Sequence, residues 1–264
     1  MNTQIKMILF DIDGTLLSKQ TQRLSPAIIA AFHHLRGLGI RLFLCSGRNE
    51  TEIKSLGLAD DFAFDGYVLL NGGLCIVNNE TVYQSVISKD TIHTLFQYMN
   101  DKHLPFTLAL RSEQYLSSLD ERAAEAYRFI HTPIPEIRDP MAYIDVPIFQ
   151  LNPFVDENTM KEIMEYAPGC KYTSWYPYAY DLIPENSGKA AGILKLSELL
   201  DIPVADMMAF GDDENDIGMM DTVAYPIAMD NSNPIVFEHA IYRCGNVDND
   251  GILDGLKQYH LLDD

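Results

Sequence analysis

The stretch Met7-Ile8-Leu9-Phe10-Asp11-Ile12-Asp13-Gly14-Thr15 decides the fold. Four consecutive apolar residues are what a strand buried on both faces shows, and the carboxylates and glycine behind them mark where the chain leaves the core. Strands buried on both faces belong to parallel sheets of α/β proteins. In open sheets of that kind ligands bind beyond the carboxyl ends of the strands, so Asp11 and Asp13 stand where a ligand would.

The same grammar returns two hundred residues later. Met207-Met208-Ala209-Phe210 is a second short apolar run, followed by Gly211, Asp212, Asp213, Glu214, Asn215 and Asp216. Two strand ends of this kind bring their acids together. Gathering that much negative charge is unfavourable without a cation, and carboxylate oxygens suit Mg²⁺, which takes one or two carboxylates plus waters and a substrate phosphate. Singly, such segments are ordinary turns and helix caps. Their conjunction behind two apolar runs points instead to a metal-assisted phosphoryl-transfer site.

Two further segments lie between them. Ile40-Arg41-Leu42-Phe43-Leu44 is a third strand-like run, and Cys45-Ser46-Gly47-Arg48 follows it with a hydroxyl and a glycine amide where a helix could begin. A helix start with a serine is a ready anion site. Asn186-Ser187-Gly188-Lys189 places a lysine ahead of the helical stretch Ala190 to Leu200, and a lysine ammonium can hold a phosphate oxygen as a point charge.

Taken in order, the four segments resemble those of the haloacid dehalogenase superfamily of phosphohydrolases, within it the Cof-type sugar-phosphatase branch with a large α/β cap. Asp11 to Thr15 match its first motif, Ser46-Gly47-Arg48 the second, Lys189 the lysine motif, and Gly211, Asp212, Asn215 and Asp216 the fourth. Asn71-Gly72-Gly73, Ala228-Met229 and Asp250-Gly251 also look like habits of that branch. Asn-Ser-Gly-Lys-Ala stands where Ser-Lys-Gly is common, and Asp230 follows Met229 where a glycine is usual. The resemblance implies an α/β fold: a Rossmann-like doubly wound parallel-sheet core with an inserted α+β cap domain.

Hydrolysis of a phosphate ester needs a nucleophile in line with the leaving oxygen, a cation on the phosphoryl oxygens and a proton donor for the departing alcohol. Asp11 is expected to attack phosphorus and form an aspartyl-phosphate. Asp13 is expected to protonate the leaving alkoxide and then deprotonate the attacking water. Residues i and i+2 of an extended segment point the same way, so both carboxylates are expected to face one site. Mg²⁺ is expected on the Asp11 and Asp212 carboxylates and, as the resemblance implies, on the Asp13 backbone carbonyl. Asp216 is read as orienting a ligand or Lys189. Thr15, Ser46, the Gly47 amide, Lys189 and Asn215 are expected to grip the phosphoryl oxygens. Asp213 and Glu214 are read as acids at a helix N-terminus.

The chain has 264 residues, 47% of them apolar, enough for one large or two modest domains. The motifs favour two: a catalytic core of residues 1–82 plus 187–264, and an inserted α+β cap of residues 83–186. The middle region carries strand-like stretches at 106–110, 115–118, 148–151 and 171–175, with helices expected near 89–101, 121–129 and 156–167. In the core, Ser25-Pro26 opens a helix from Ser25 to Leu38. So little chain follows Asp13 that the cap is expected to exclude water and set substrate choice. Arg48 and Asn71 are candidate substrate contacts. Arg111, His131 and Arg138 read as surface residues, and Trp175, Tyr176, Tyr178 and Tyr180 as strand core.

The formal net charge of −19, from 38 acidic and 19 basic residues, argues against nucleic acid or an anionic membrane as partner. A small-molecule phosphate ester is the expected partner. Cys45, Cys75, Cys170 and Cys244 form no Cys-x-x-Cys pair, so neither a zinc site nor a disulfide framework is expected, and a reduced cytoplasmic setting fits. No apolar stretch reaches membrane-spanning length, and the polar start Asn2 to Lys6 leaves no room for a signal peptide. Asp248-Asn249-Asp250-Gly251 lacks the later ligands of a calcium loop and reads as a turn. The leading expectation is a Mg²⁺-dependent phosphatase acting on a small phosphorylated metabolite of the sugar-phosphate kind. A phosphohexomutase-type phosphotransferase and a non-catalytic phosphometabolite sensor remain alternatives.

Overall fold

The apolar run Met7–Phe10 forms strand β1, buried throughout. It lies between two parallel neighbours, β2 (Arg41–Cys45) and β11 (Met207–Gly211). This is a computed structural model, which describes residues 5–18, 20, 23–130 and 132–263. The remaining strands of this sheet are β3 (Gly66–Leu69), β4 (Leu74–Val77), β5 (Glu80–Gln84), β12 (Tyr225–Ala228) and β13 (Tyr242–Arg243). Among the described residues the order is β13-β12-β11-β1-β2-β3-β4-β5. Pairing is parallel from β13 to β3, after which β4 returns antiparallel to β3.

Side chains of β1 alternate between two cores, as a doubly covered strand requires. Met7 and Leu9 pack in one cluster with Ile193 and Leu196 of α7 (Lys189–Leu200) and Met219 of α8 (Ile217–Thr222). Phe10 meets Phe32 of α1 (Pro26–Gly37) with ring centroids 4.9 Å apart, and stacks on Phe210 at 5.4 Å. Gly255 of α9 (Gly251–Gln258) lies so close to Phe210 that a Cβ there would stand 2.6 Å from its ring. Helices thus cover both faces of the sheet. Helix α1 starts as its sequence predicts, with Ser25 Oγ accepting the Ile28 amide at 3.2 Å and Pro26 in the first turn. Two short helices, α2 (Glu50–Ser55) and α3 (Leu58–Asp61), connect β2 to β3.

The chain divides into two compact units, Met1–Arg48, Glu52–Tyr83 and Gly188–Asp264 in one, Asn49–Thr51 and Gln84–Ser187 in the other. The second unit is built on an antiparallel sheet of order β7-β6-β8-β10-β9, from β6 (Phe106–Ala109), β7 (Gln114–Leu116), β8 (Gln150–Pro153), β9 (Cys170–Tyr176) and β10 (Ala179–Pro184). Strand β10 is absent from the expected set, because Pro184 and Asp181 interrupt the apolar alternation that marks its neighbours. Helices α4 (Lys89–Asp101) and α6 (Glu157–Glu165) press Leu95, Phe96, Met160 and Ile163 against Phe106, Leu108, Leu151 and Leu182. Helix α5 (Glu121–Phe129) packs Ala123, Ala126 and Tyr127 with Leu116, Phe154 and Ala179.

The aromatic stretch divides rather than entering the core whole. Tyr180 is buried, Trp175 and Tyr176 are half-buried beside Ala179, and Tyr178 is exposed at the turn between β9 and β10, with the Arg122 guanidinium over its ring. All four cysteines are free and buried. Among the described residues, no helix is long and apolar enough to cross a membrane. Residues 2–4 of the polar start lie outside the described residues.

Candidate active site

Register between β1 and β11 pairs Phe10 with Phe210, so Asp11 and Asp212 leave adjacent strands at the same edge. The Asp11 amide still donates to the Phe210 carbonyl at 2.9 Å. Lys189, at the first turn of α7, is buried, and its Nζ stands 2.6 Å from Asp11 Oδ1 and 2.6 Å from Asp216 Oδ1. Asp216 also uses its other oxygen, Oδ2, to accept the amides of Asp212 at 2.9 Å and Asp213 at 3.2 Å. Both of its oxygens are thereby committed to holding Lys189 and the turn after β11. Gly211 makes room for it, since a Cβ there would lie 2.7 Å from the Asp216 carboxyl carbon. Asp213 accepts the Glu214 amide at 2.9 Å and caps the short turn Glu214–Asp216, the structural role expected of it.

The electrostatics follow from burial. Loss of hydration pushes Asp11 up to about 7 against the opposing attraction of Lys189, with Asp216 and Asp13 adding to the rise. Burial pushes Asp212 up to about 9, helped by the charges of Asp11 and Asp216 and opposed by the hydrogen bond from Thr15. For Lys189 burial works against the charge, but Asp11 and Asp216 outweigh it and hold the ammonium well above its ordinary range.

One ammonium is therefore shared by two buried carboxylates, Asp11 and Asp216. Asp11, Asp212 and Asp216 each offer an oxygen within 4.8 Å of the others. Because Asp216 is committed elsewhere, Asp11 and Asp212 are the pair fitted to a cation, and an all-oxygen set with surplus negative charge suits a hard divalent ion.

Asp13 lies just before a turn in which the Leu16 and Leu17 amides donate to the Ile12 carbonyl, and its charge is near enough to raise the Asp11 carboxyl. Its half-exposed carboxylate is gripped by Arg48, Nε to Oδ2 at 2.7 Å and Nη2 to Oδ1 at 2.8 Å. Arg48, read from sequence as a substrate contact, is thus the partner of Asp13. Thr15 is buried and donates its hydroxyl to Asp212 Oδ1 at 2.9 Å, which orients that carboxylate.

Ser46 is buried, its amide donating to the Val68 carbonyl at 2.8 Å and its Oγ accepting the Arg48 amide at 3.3 Å. The expected helix does not begin there; α2 starts only at Glu50. Buried Asn71, at a left-handed φ of 49°, donates its amide to the Ser46 carbonyl and accepts the Gly188 amide at 2.7 Å. A Cβ on Gly47 would lie 3.3 Å from the Asn71 side chain. Asn71 is therefore placed as a brace joining the Ser46 loop to the turn before Lys189. Asn215 is exposed on the turn after Asp212. Arg111 pairs with Glu50 and Arg138 with Glu136, while His131 lies outside the described residues.

Two asparagines beyond the four motifs touch this site. The Asn233 amide donates to the Asp212 carbonyl at 2.9 Å, and Asn231 Nδ2 donates to the Gly14 carbonyl at 2.7 Å. Their only signal in sequence is their place just behind Ala228-Met229.

The haloacid dehalogenase-like hydrolase family matches residues 8–256. The chain belongs to that family. A Streptococcus pyogenes protein named "Putative bifunctional phosphatase/peptidyl-prolyl cis-trans isomerase" is 28% identical over 98% of this chain, which spans only 55% of that longer protein. The Bacillus subtilis protein "Putative phosphatase YkrA" is 27% identical, with 97% of this chain and 98% of the relative covered. Among solved structures, the HAD subclass IIB sugar phosphatase BT4131 superposes with a TM-score of 0.84 at 27% identity, covering 97% of this chain and 100% of the other. This member of the haloacid dehalogenase-like hydrolases is a phosphoric monoester hydrolase of the Cof-type branch.

Proposed function

We propose that this phosphatase hydrolyses a small sugar phosphate through an aspartyl-phosphate on Asp11, with Mg²⁺ as its cation. The observation that carries the reading is the placement of Asp11 beside Asp212 at one sheet edge, with Lys189 bonded to Asp11 Oδ1. Lys189 orients Asp11 and leaves Oδ2 for attack on phosphorus. As that bond forms, the bond from phosphorus to the sugar oxygen breaks and the alkoxide takes a proton from Asp13. Asp13 then accepts a proton from water, whose oxygen attacks phosphorus, releasing phosphate and restoring the Asp11 carboxylate. To carry the proton, the Asp13 side chain turns from the Arg48 guanidinium that grips both its oxygens.

Asp11, Asp212 and the Asp13 carbonyl would hold Mg²⁺, which supplies charge for the phosphoryl oxygens when bound. Ser46, the Gly47 amide, Lys189 and Asn215 complete the phosphoryl contacts, while Thr15, expected among them, gives its hydroxyl proton to Asp212. Residues 83–186, inserted between the core segments, are assigned the choice of substrate. The sugar class is supported by the likeness to BT4131, a sugar phosphatase.

A panel of phosphorylated metabolites assayed with Mg²⁺, then with a chelator, tests this. Release of inorganic phosphate from hexose or pentose phosphates that stops on chelation and returns with Mg²⁺ is expected. Isomerised ester without free phosphate would contradict it.

A further inference from the structure

We infer that Asn231 is a positioning residue for the carboxylate of Asp212, acting through the turn at Gly14; the inference rests on the reading of Asp212 as a metal ligand. Asn231 Oδ1 accepts the Val247 amide at 2.9 Å, and this fixes the orientation of the side-chain amide so that Nδ2 must face away from Val247. There it donates to the Gly14 carbonyl at 2.7 Å.

Gly14 is no passive spacer. At φ +89° it presses so closely on Asp212 that a Cβ would stand 2.1 Å from Asp212 Oδ2. The next residue, Thr15, donates to Asp212 Oδ1 at 2.9 Å. One oxygen of Asp212 is therefore bounded by the Gly14 backbone and the other is held by Thr15. Any shift of the turn moves the carboxylate.

The loop that carries Asn231 is itself anchored. Asp230, standing where the branch usually has glycine, is paired with Arg243, whose Nη2 lies 2.7 Å from Asp230 Oδ1 and Nε 2.8 Å from the same oxygen. The Arg243 guanidinium lies 4.1 Å from the centre of the Phe237 ring. Two residues beyond Asn231, the Asn233 amide donates to the Asp212 carbonyl. The same loop thus holds Asp212 by its main chain directly and by its side chain through Gly14. Partners that orient a ligand in this way typically carry about 10- to 100-fold in metal affinity.

The test is a titration of the protein with Mn²⁺ alone, read by the electron paramagnetic resonance of free Mn²⁺, on the parent, Asn231→Ala, Asn231→Asp and Asp212→Asn. Asn231→Asp keeps the acceptor for Val247 and loses the donor to Gly14, while its added charge by itself would favour the cation. Both Asn231 variants are expected to bind Mn²⁺ about tenfold more weakly, with melting curves close to the parent and with kcat restored at saturating Mg²⁺. Affinity within about twofold of the parent in either variant, or a fall in kcat that saturating metal does not restore, overturns the inference. If Asp212→Asn binds Mn²⁺ as the parent does, the reading of Asp212 as ligand fails instead.

Discussion

Asp11 and Asp212 are pushed up to about 7 and about 9 from an ordinary 3.8, so without a cation the folded protein keeps protons that the unfolded chain has already released. A raised carboxyl pKa contributes stability that is fully present below the unfolded value and is lost as pH rises through the folded one. For these two residues the loss runs from about pH 4 to about pH 9. A divalent cation competes for the same oxygens and takes the place of the protons. Calorimetry of metal-free protein should therefore show Tm falling between about pH 5 and pH 9, with Mg²⁺ raising Tm more at the alkaline end. Equal Mg²⁺ shifts at both ends would place the ion elsewhere. Lys189 cannot substitute for the cation, since its ammonium is already shared between Asp11 and Asp216.

Between single residues and the molecule, the site depends on how closely elements approach. Helix α7 delivers Lys189 only because Gly192 lets it lie against the sheet: a Cβ there would be 2.6 Å from Val68 Cγ1 and 3.2 Å from the Gly72 backbone. Gly192→Ala gains up to about 1 kcal/mol in helix propensity but overpacks the contact, at a cost of about 1–3 kcal/mol. Net destabilisation is expected in urea unfolding, with activity reduced as Lys189 is displaced; a more stable variant would mean that the helix does not need this approach. The elements most legible in sequence were those whose pattern is set locally. The runs at Met7 and Met207 announced buried strands, and Ser25-Pro26 announced a helix start, because burial on both faces and capping each leave a local mark. Strand β10 was not legible, its partners being supplied by β8 and β9 rather than by its own pattern. The partner of Asp13 was also hidden, because the Arg48 guanidinium reaches it by tertiary contact. Asn231 and Asn233 likewise act through contacts across the sheet edge, which leave no spacing to read.

Across the whole molecule, the family match over residues 8–256 agrees with a fold whose grammar is strand, carboxylate and turn. Its four cysteines are all free and buried. Burial pushes Cys75 and Cys244 up to about 12 and Cys170 to about 11, and raises Cys45 beside the site further still. Thiolate is the reactive form, so none should react quickly with a thiol reagent in the native protein at about pH 8; modification should follow the rate of opening. One rapidly labelled equivalent would show an exposed thiolate. The chain divides into two compact units, and the proposed reacting groups Asp11, Asp13, Lys189 and Asp212 all lie in the first. The central claim is that the phosphoryl group passes through Asp11. It is tested most directly by quenching the enzyme during turnover of a hexose phosphate, reducing it with borohydride and locating the modified residue by mass spectrometry of its peptides. Reduction confined to Asp11, dependent on Mg²⁺, is the predicted result; labelling at another residue, or none while phosphate is being released, would contradict it.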